Sequence, residues 1–278
     1  MMESIRVLLR QAVDYAGLFP PAGLDLATAV ANFARYQSGP DAWMLGRFVL
    51  RTERLAEFRR IAGRRWPLSV LGGENPAAAL ASISEGDAIE VQMGAPDRAR
   101  ELMSRMPPGV LAFFEIPIAS DPQPLVEAIA ACGGCAKART GGVSPGSIPS
   151  AKDVARFIAR CAASGVPFKL TAGLHHALRG SHALTYEPDS PRAPMHGFLN
   201  IFAAACFAHS GLRDEAELAD ILEQQLLHQL RFDDGGIAWR DKRVGAEQIR
   251  AARANLALSF GSCSFEEPVA DLRNLGLL

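Results

Sequence analysis

Six short runs of strand-forming residues recur along the chain, at 46–51, 67–72, 88–93, 110–117, 135–140 and 166–171. The first four start at residues 46, 67, 88 and 110, an interval of 21 or 22 residues. Between them, as at 54–65 and 97–106, apolar residues return every three or four positions, the period of an amphipathic helix. Residues 151–164 repeat that pattern and stop at Gly165, with Pro167 just beyond. Short strands alternating with helices predict parallel βαβ units.

Six such units in 278 residues fit an α/β fold, a (β/α)8 TIM-type barrel of roughly 250 residues. A doubly wound open sheet is the alternative, but it carries a Gly-rich phosphate turn after its first strand. The segment after Arg51 has no glycine until Gly63, so no nucleotide cofactor is expected. The eighth strand is placed at 256–261, leading into a helix at 266–275. For the seventh, 237–240 after the Asp233-Asp234-Gly235-Gly236 turn is preferred to 197–209, whose alanine run suits a helix better. Residues 1–45 read as an N-terminal helical extension around Phe19-Pro20-Pro21, with the barrel at 46–278. No linker or low-complexity stretch divides the chain, so one domain is expected over 1–278.

Successive side chains of a strand face opposite ways. One parity set is apolar: Phe48 and Leu50, Ile89 and Val91, Phe114 and Ile116, Ala136 and Ala138, Phe168 and Leu170, Leu258 and Phe260. These are the positions expected under the helical shell. The other set carries Arg47 and Arg51, Glu90 and Gln92, Glu115, Lys137 and Arg139, Lys169 and Thr171, and Ser259, which would point into the barrel. Barrel interiors are normally filled by branched apolar residues, and buried charges are costly unless paired or used in chemistry. Two readings account for them: a site at the C-terminal rim, or a structural ion-pair network such as Glu115 with Lys137. Arg51, Lys137, Arg139 and Lys169 outnumber Glu90 and Glu115 by two charges, which points to an anionic substrate, a carboxylate or a phosphate.

The chain is 49% hydrophobic and 21% charged, which excludes disorder as its overall state. With 29 Lys and Arg against 30 Asp and Glu, the net charge of −1 argues against a nucleic-acid partner. The best candidate for a membrane span, 197–212, is 16 residues long and holds Asn200 and His209, short of the ~18 apolar residues required. The first 19 residues carry Glu3, Arg6, Arg10 and Asp14 and lack the apolar core of a signal peptide. Five cysteines in apolar contexts suit a reduced, cytoplasmic protein. The Cys132-Gly133-Gly134-Cys135 pair has redox or half-zinc spacing, but no second pair of ligands follows, so it reads as loop chemistry.

Lys169 is the first candidate for chemistry. Burial beside Phe168 and Leu170 would desolvate its amine, lower its pKa and free it as a Schiff-base nucleophile or general base. The run Phe168-Lys169-Leu170-Thr171-Ala172-Gly173 loosely resembles the Schiff-base strand of deoxyribose-phosphate-type class I aldolases, although the second active-site lysine of that family is not evident. Gly173-Leu174-His175-His176 continues off the strand end, where His175 is placed for acid–base work. Arg139-Thr140-Gly141-Gly142 allows a ligand close to the backbone beside a guanidinium, or is simply a turn. Gly261-Ser262-Cys263-Ser264 opens a helix where barrels bind phosphate, although Ser264 and Glu267 also fit a capping box that would occupy those donors.

Four motifs, Asp14-Tyr15-Ala16-Gly17-Leu18-Phe19-Pro20-Pro21-Ala22, Arg139-Thr140-Gly141-Gly142, Ala172-Gly173-Leu174-His175-His176 and Phe260-Gly261-Ser262-Cys263-Ser264-Phe265, resemble an uncharacterised bacterial family along most of the chain. That resemblance implies a shared fold and no activity.

The sequence therefore predicts a cytoplasmic barrel enzyme, a lyase or isomerase acting on a small anionic metabolite without a cofactor. Lys169, Glu115 and His175 are the expected catalytic residues. Arg51, Glu90, Gln92, Lys137, Arg139, Thr171, Gly141, Gly142, Gly261 and Ser262 are expected to bind substrate. One alternative is a metal-dependent hydrolase using His175, His176, His196 and Glu115. Another is a non-catalytic anion-binding barrel. A homo-oligomer is compatible with either.

Overall fold

A computed structural model describes residues 1–73, 76–93 and 95–278, residue 98 by its backbone only. Eight parallel strands close into a barrel. They are β1 (Val13–Tyr15), β2 (Leu45–Arg51), β3 (Leu68–Leu71), β4 (Ala88–Gln92), β5 (Leu111–Glu115), β6 (Cys135–Arg139), β7 (Phe168–Thr171) and β8 (Ala257–Ser262). The helices are α1 (Glu3–Leu9), α2 (Leu26–Ser38), α3 (Leu55–Ala62), α4 (Pro76–Leu80), α5 (Pro96–Ser104), α6 (Gln123–Cys132), α7 (Ala151–Ser164), α8 (Phe198–His209), α9 (Glu215–Leu222), α10 (Ala246–Asn255) and α11 (Glu266–Asn274). Among the described residues, no helix is long and apolar enough to cross a membrane.

The barrel differs from the sequence expectation at its seam. Residues 1–45 are not only a helical extension: β1 lies within them and closes the ring, pairing with β8 through Val13 and Phe260 and with β2 through Val13 and Leu45. A three-residue strand is too short to show a period. Its extended shape is imposed by the strands on either side.

The expected seventh strand at 237–240 is outside the ring. Gly236–Trp239 instead forms the middle of a separate antiparallel sheet, between Arg231–Asp233 and Lys242–Gly245. Two-residue turns join the three, whereas a parallel neighbour needs a crossover of about a dozen residues or more. Residues 197–209 are helical, as the alanine run implied, and form α8, which is buried on nearly every side. The crossover from β7 to β8 thus carries a hairpin (Gly180–Ala183 with Arg192–Met195), α8, α9, the small sheet and α10.

The parity sorting explains how the layers pack. Phe48 faces outward into an aromatic cluster, 5.4 Å from Phe33 and 5.1 Å from Phe58 between ring centres. Phe168 meets Phe157 of α7, and Phe260 stacks on Phe198 of α8. The helix signals act locally as read: Ser150 and Asp153 form a capping box at the start of α7, and Gly165 ends it at φ +63°. Leu258 is an exception. The register of β8 shifts between Ala257 and Ser259, so Leu258 packs with Ala88, Phe113 and Cys135 rather than under the helices.

A candidate active site above a buried ion-pair chain

The interior has three levels. Ala88, Phe113, Cys135, Leu111 and Leu258 form an apolar cluster toward the N-terminal end. Above it runs a chain of charges. Lys169 Nζ donates to Asp14 Oδ2 at 2.6 Å and to Glu90 Oε1 at 2.7 Å. Lys137 Nζ bonds Glu90 Oε2 and Glu115 Oε2, each at 2.6 Å.

The hydroxyls of Ser69 and Ser259 donate to Glu90 at 2.5 Å and Asp14 at 2.8 Å, and the Arg47 backbone N–H donates to Asp14 Oδ1 at 2.9 Å. All eight strands contribute a group. The order Asp14–Lys169–Glu90–Lys137–Glu115 alternates charge, so each buried ion has opposite partners and the desolvation penalty is offset. Lys169 also lies 5.3 Å from the centre of the Phe113 ring below it.

Electrostatics follow from this order. Burial opposes ionisation of Glu90, but the ammonium groups of Lys169 and Lys137 outweigh it and hold the carboxyl well below its usual range. Burial likewise works against the charged form of Lys137, and Glu90 and Glu115 reverse the effect and raise its pKa. At Lys169, where the sequence suggests a desolvated amine, the nitrogen donates to two buried carboxylates.

A cavity of about 1090 Å3 runs along the C-terminal ends of β2 to β6 and extends between the barrel and helices α4 and α5, where Val91, Phe114, Leu80 and Leu102 line it. Arg51, Glu90, Gln92, Glu115 and Arg139 line it, so five of the expected residues share one space. Glu115 is only partly buried and joins the chain below to the cavity above. The Arg51 guanidinium lies 5.6 Å from the centre of the Phe19 ring, in the apolar N-terminal loop.

The other expected residues of the rim lie at or just beyond the ends of β6, β7 and β8. A Cβ on Gly141 would sit 3.0 Å from Gly173 Cα, and one on Gly142 would sit 2.6 Å from Ser147 Oγ. These glycines let protein approach protein closely. Thr140 Oγ donates to the carbonyls of Thr171 and Ala172, at 3.2 and 2.8 Å, and ties the same two loops together. Gly261 accommodates Thr171 Oγ1, 2.9 Å from where its Cβ would be. At the start of α11, Ser264 Oγ accepts the Glu267 N–H at 3.1 Å, so the capping reading holds for that donor.

His175 Nδ1 bonds Glu267 Oε2 at 2.8 Å and lies 3.3 Å from Ser262 Oγ. The four residues of the metal alternative do not form a ligand set. His176 bonds Asp271 at 3.1 Å, His196 contacts Arg179 and the Pro149 carbonyl, and Glu115 is held by Lys137. Among the described residues, no group of three His, Cys, Asp or Glu could hold a metal ion.

Sequence reasoning did not single out Asp14, Ser69, Cys263 or Glu267 as site residues. Asp14 could have been found as the acid flanked by Val13 and Tyr15 in an apolar segment. The free cysteines include Cys132, half-buried, and Cys135, buried. Compared with protein-family models, with curated proteins and with solved structures, the chain matches none of them.

Proposed function

We propose that the cavity over β2 to β6 binds a small anionic metabolite and that Glu115 moves a proton on it, making the protein a lyase or isomerase. The observation that carries this reading is the position of Glu115, which ends the buried charge chain at the cavity and shares it with Arg51 and Arg139. Two guanidiniums suit a carboxylate or phosphate, which they can grip through paired N–H donors. Glu115 would take a proton from carbon, with the Lys137 ammonium beside it to offset the change in charge. Lys169 then acts as a positioning residue, fixing Glu90 and Asp14 beneath Lys137, and forms no covalent bond to substrate.

The test is hydrogen exchange in D2O, followed by NMR, with a panel of small 2-oxo carboxylates and phosphorylated sugars. Exchange at a carbon next to the carbonyl is expected for at least one compound, lost in Glu115→Gln and shifted to higher concentration in Arg139→Ala. Trapping of the same compound on Lys169 by borohydride would replace this mechanism with the Schiff-base one. A panel that neither exchanges nor binds would sink the enzymatic reading of the cavity.

A further inference from the structure

Across the barrel mouth from β4, the β7 and β8 ends hold a second cluster of reactive groups that the Glu115 cavity does not use. Cys263 follows directly on β8 and is three residues upstream of α11, so its thiol sits at a strand-to-helix turn. Its Sγ lies 3.8 Å from His175 Nε2 and 4.0 Å from Nδ1. His175 Nδ1 bonds Glu267 Oε2 at 2.8 Å. The same Glu267 oxygen accepts the Tyr186 hydroxyl at 3.1 Å, and that hydroxyl is 3.7 Å from Cys263 Sγ. Cys263 and His175 are buried, Glu267 is half-buried and Tyr186 is exposed.

We propose that Cys263, His175 and Glu267 form a nucleophilic site for acyl compounds, esters or thioesters, with Tyr186 as a latch over it. Four features support it. Glu267 contacts Nδ1 and favours the charged ring, so His175 can carry the proton that the thiol gives up, and distances between the two are often loose before substrate binds. The thiol precedes a helix N-terminus, the positive end of the helix dipole. Helix geometry leaves the first N–H groups of α11 without intrahelical carbonyls, and Ser264 takes up the one on Glu267. The Glu266 N–H, at the first helical position, is another of these donors. Finally, burial lowers the His175 pKa, but contact with Cys263 and then Glu267 outweighs it and raises the value to about 9.

The step balances as a hydrolysis. His175 takes the thiol proton, and Sγ attacks the acyl carbon. The bond from that carbon to the leaving oxygen or sulfur breaks, and the leaving group departs with the proton from His175. Water then attacks the acyl-cysteine, giving its proton to His175. The carbon–sulfur bond breaks, the acid is released and the thiol is restored. Glu267 is a positioning residue throughout.

The other cysteines supply internal controls. Burial pushes Cys135 and Cys206 up to about 12 and Cys161 well above its usual value, which disfavours their thiolate forms. Cys132 is half-buried and outside any such cluster of partners, bonding only the Ile129 carbonyl among the described residues.

The experiment treats the full chain with iodoacetamide at pH 7 and follows each cysteine by peptide mass mapping. Cys263 is expected to react at least tenfold faster than Cys132. His175→Gln should remove that advantage, and Glu267→Gln should keep more of it than Glu267→Ala. With p-nitrophenyl acetate, the acetyl group should appear on Cys263 as p-nitrophenolate is released. Tyr186→Ala tests access. If Cys263 is no faster than Cys132 in both the parent and Tyr186→Ala, the proposal is overturned. Alkylation without acetylation of Cys263 overturns it as well. Neither result depends on the role of Glu115.

Discussion

Asp14 on β1 and Lys169 on β7 stand 155 residues apart in the chain and 2.6 Å apart in the barrel. Neither strand neighbours the other, because β8 lies between them and supplies Ser259 to the same carboxylate. The contact therefore exists only when the ring is closed, and it couples the first barrel strand to the seventh.

Removing the lysine should reveal that coupling. Lys169→Met leaves Asp14 and Glu90 buried without their shared cation, at a cost of about 3–5 kcal/mol. Adding Asp14→Asn to the same chain should recover part of it. Urea denaturation measures both, and a Lys169→Met protein as stable as its parent would contradict the pairing.

Anion binding should depend on the shape of the rim cations as well as their charge. Inorganic phosphate is expected to raise the melting temperature of the parent. Arg51→Ala and Arg139→Ala should each weaken that effect about tenfold in phosphate concentration, or about 1.4 kcal/mol. Arg139→Lys should fall between, since it keeps the charge and loses the planar fork. An undiminished shift in both alanine variants would place the anion elsewhere.

Two histidines should bend the stability profile in opposite directions. His196 is fully buried, and desolvation lowers its pKa to about 4, against 6.5 ordinarily. As pH falls from 6.5 to 4 the unfolded chain gains a proton that the folded one refuses, so stability drops by up to about 3 kcal/mol. His175 is raised to about 9, so its contribution is complete below 6.5 and is lost as pH climbs through 9. Denaturation midpoints between pH 4 and 10 should lose the acid slope in His196→Gln and the alkaline slope in His175→Gln.

The contact between the β6 and β7 loops is tight enough to be measured. Gly173 has φ +74°, and a Cβ there would sit 3.1 Å from Gly141 Cα, where backbone cannot give way. Gly173→Ala should cost about 1–3 kcal/mol through strain and overlap. Gly146→Ala, with nothing within 4 Å, should lie within about 0.5 kcal/mol of the parent in the same assay.

Sequence alone determined the repeating part of this protein. Strand and helix periods, the Gly165 stop and the inward parity of Glu90, Lys137 and Lys169 are local properties, set by backbone geometry and by the cost of burying charge. They were enough for the barrel and for the residues that line the cavity at Arg51, Gln92, Glu115 and Arg139. Tertiary structure decided what no local pattern encodes. It made Val13–Tyr15 a strand, because three residues become extended only between β8 and β2. It sent Gly236–Trp239 into an antiparallel sheet, because its turns are too short for a parallel crossover.

It also decided the partners of Lys169, whose two carboxylates come from β1 and β4. The same holds for Cys263, whose histidine is 88 residues away. Ion pairs and nucleophilic clusters are relations between distant residues, and only closure of the ring brings those residues together.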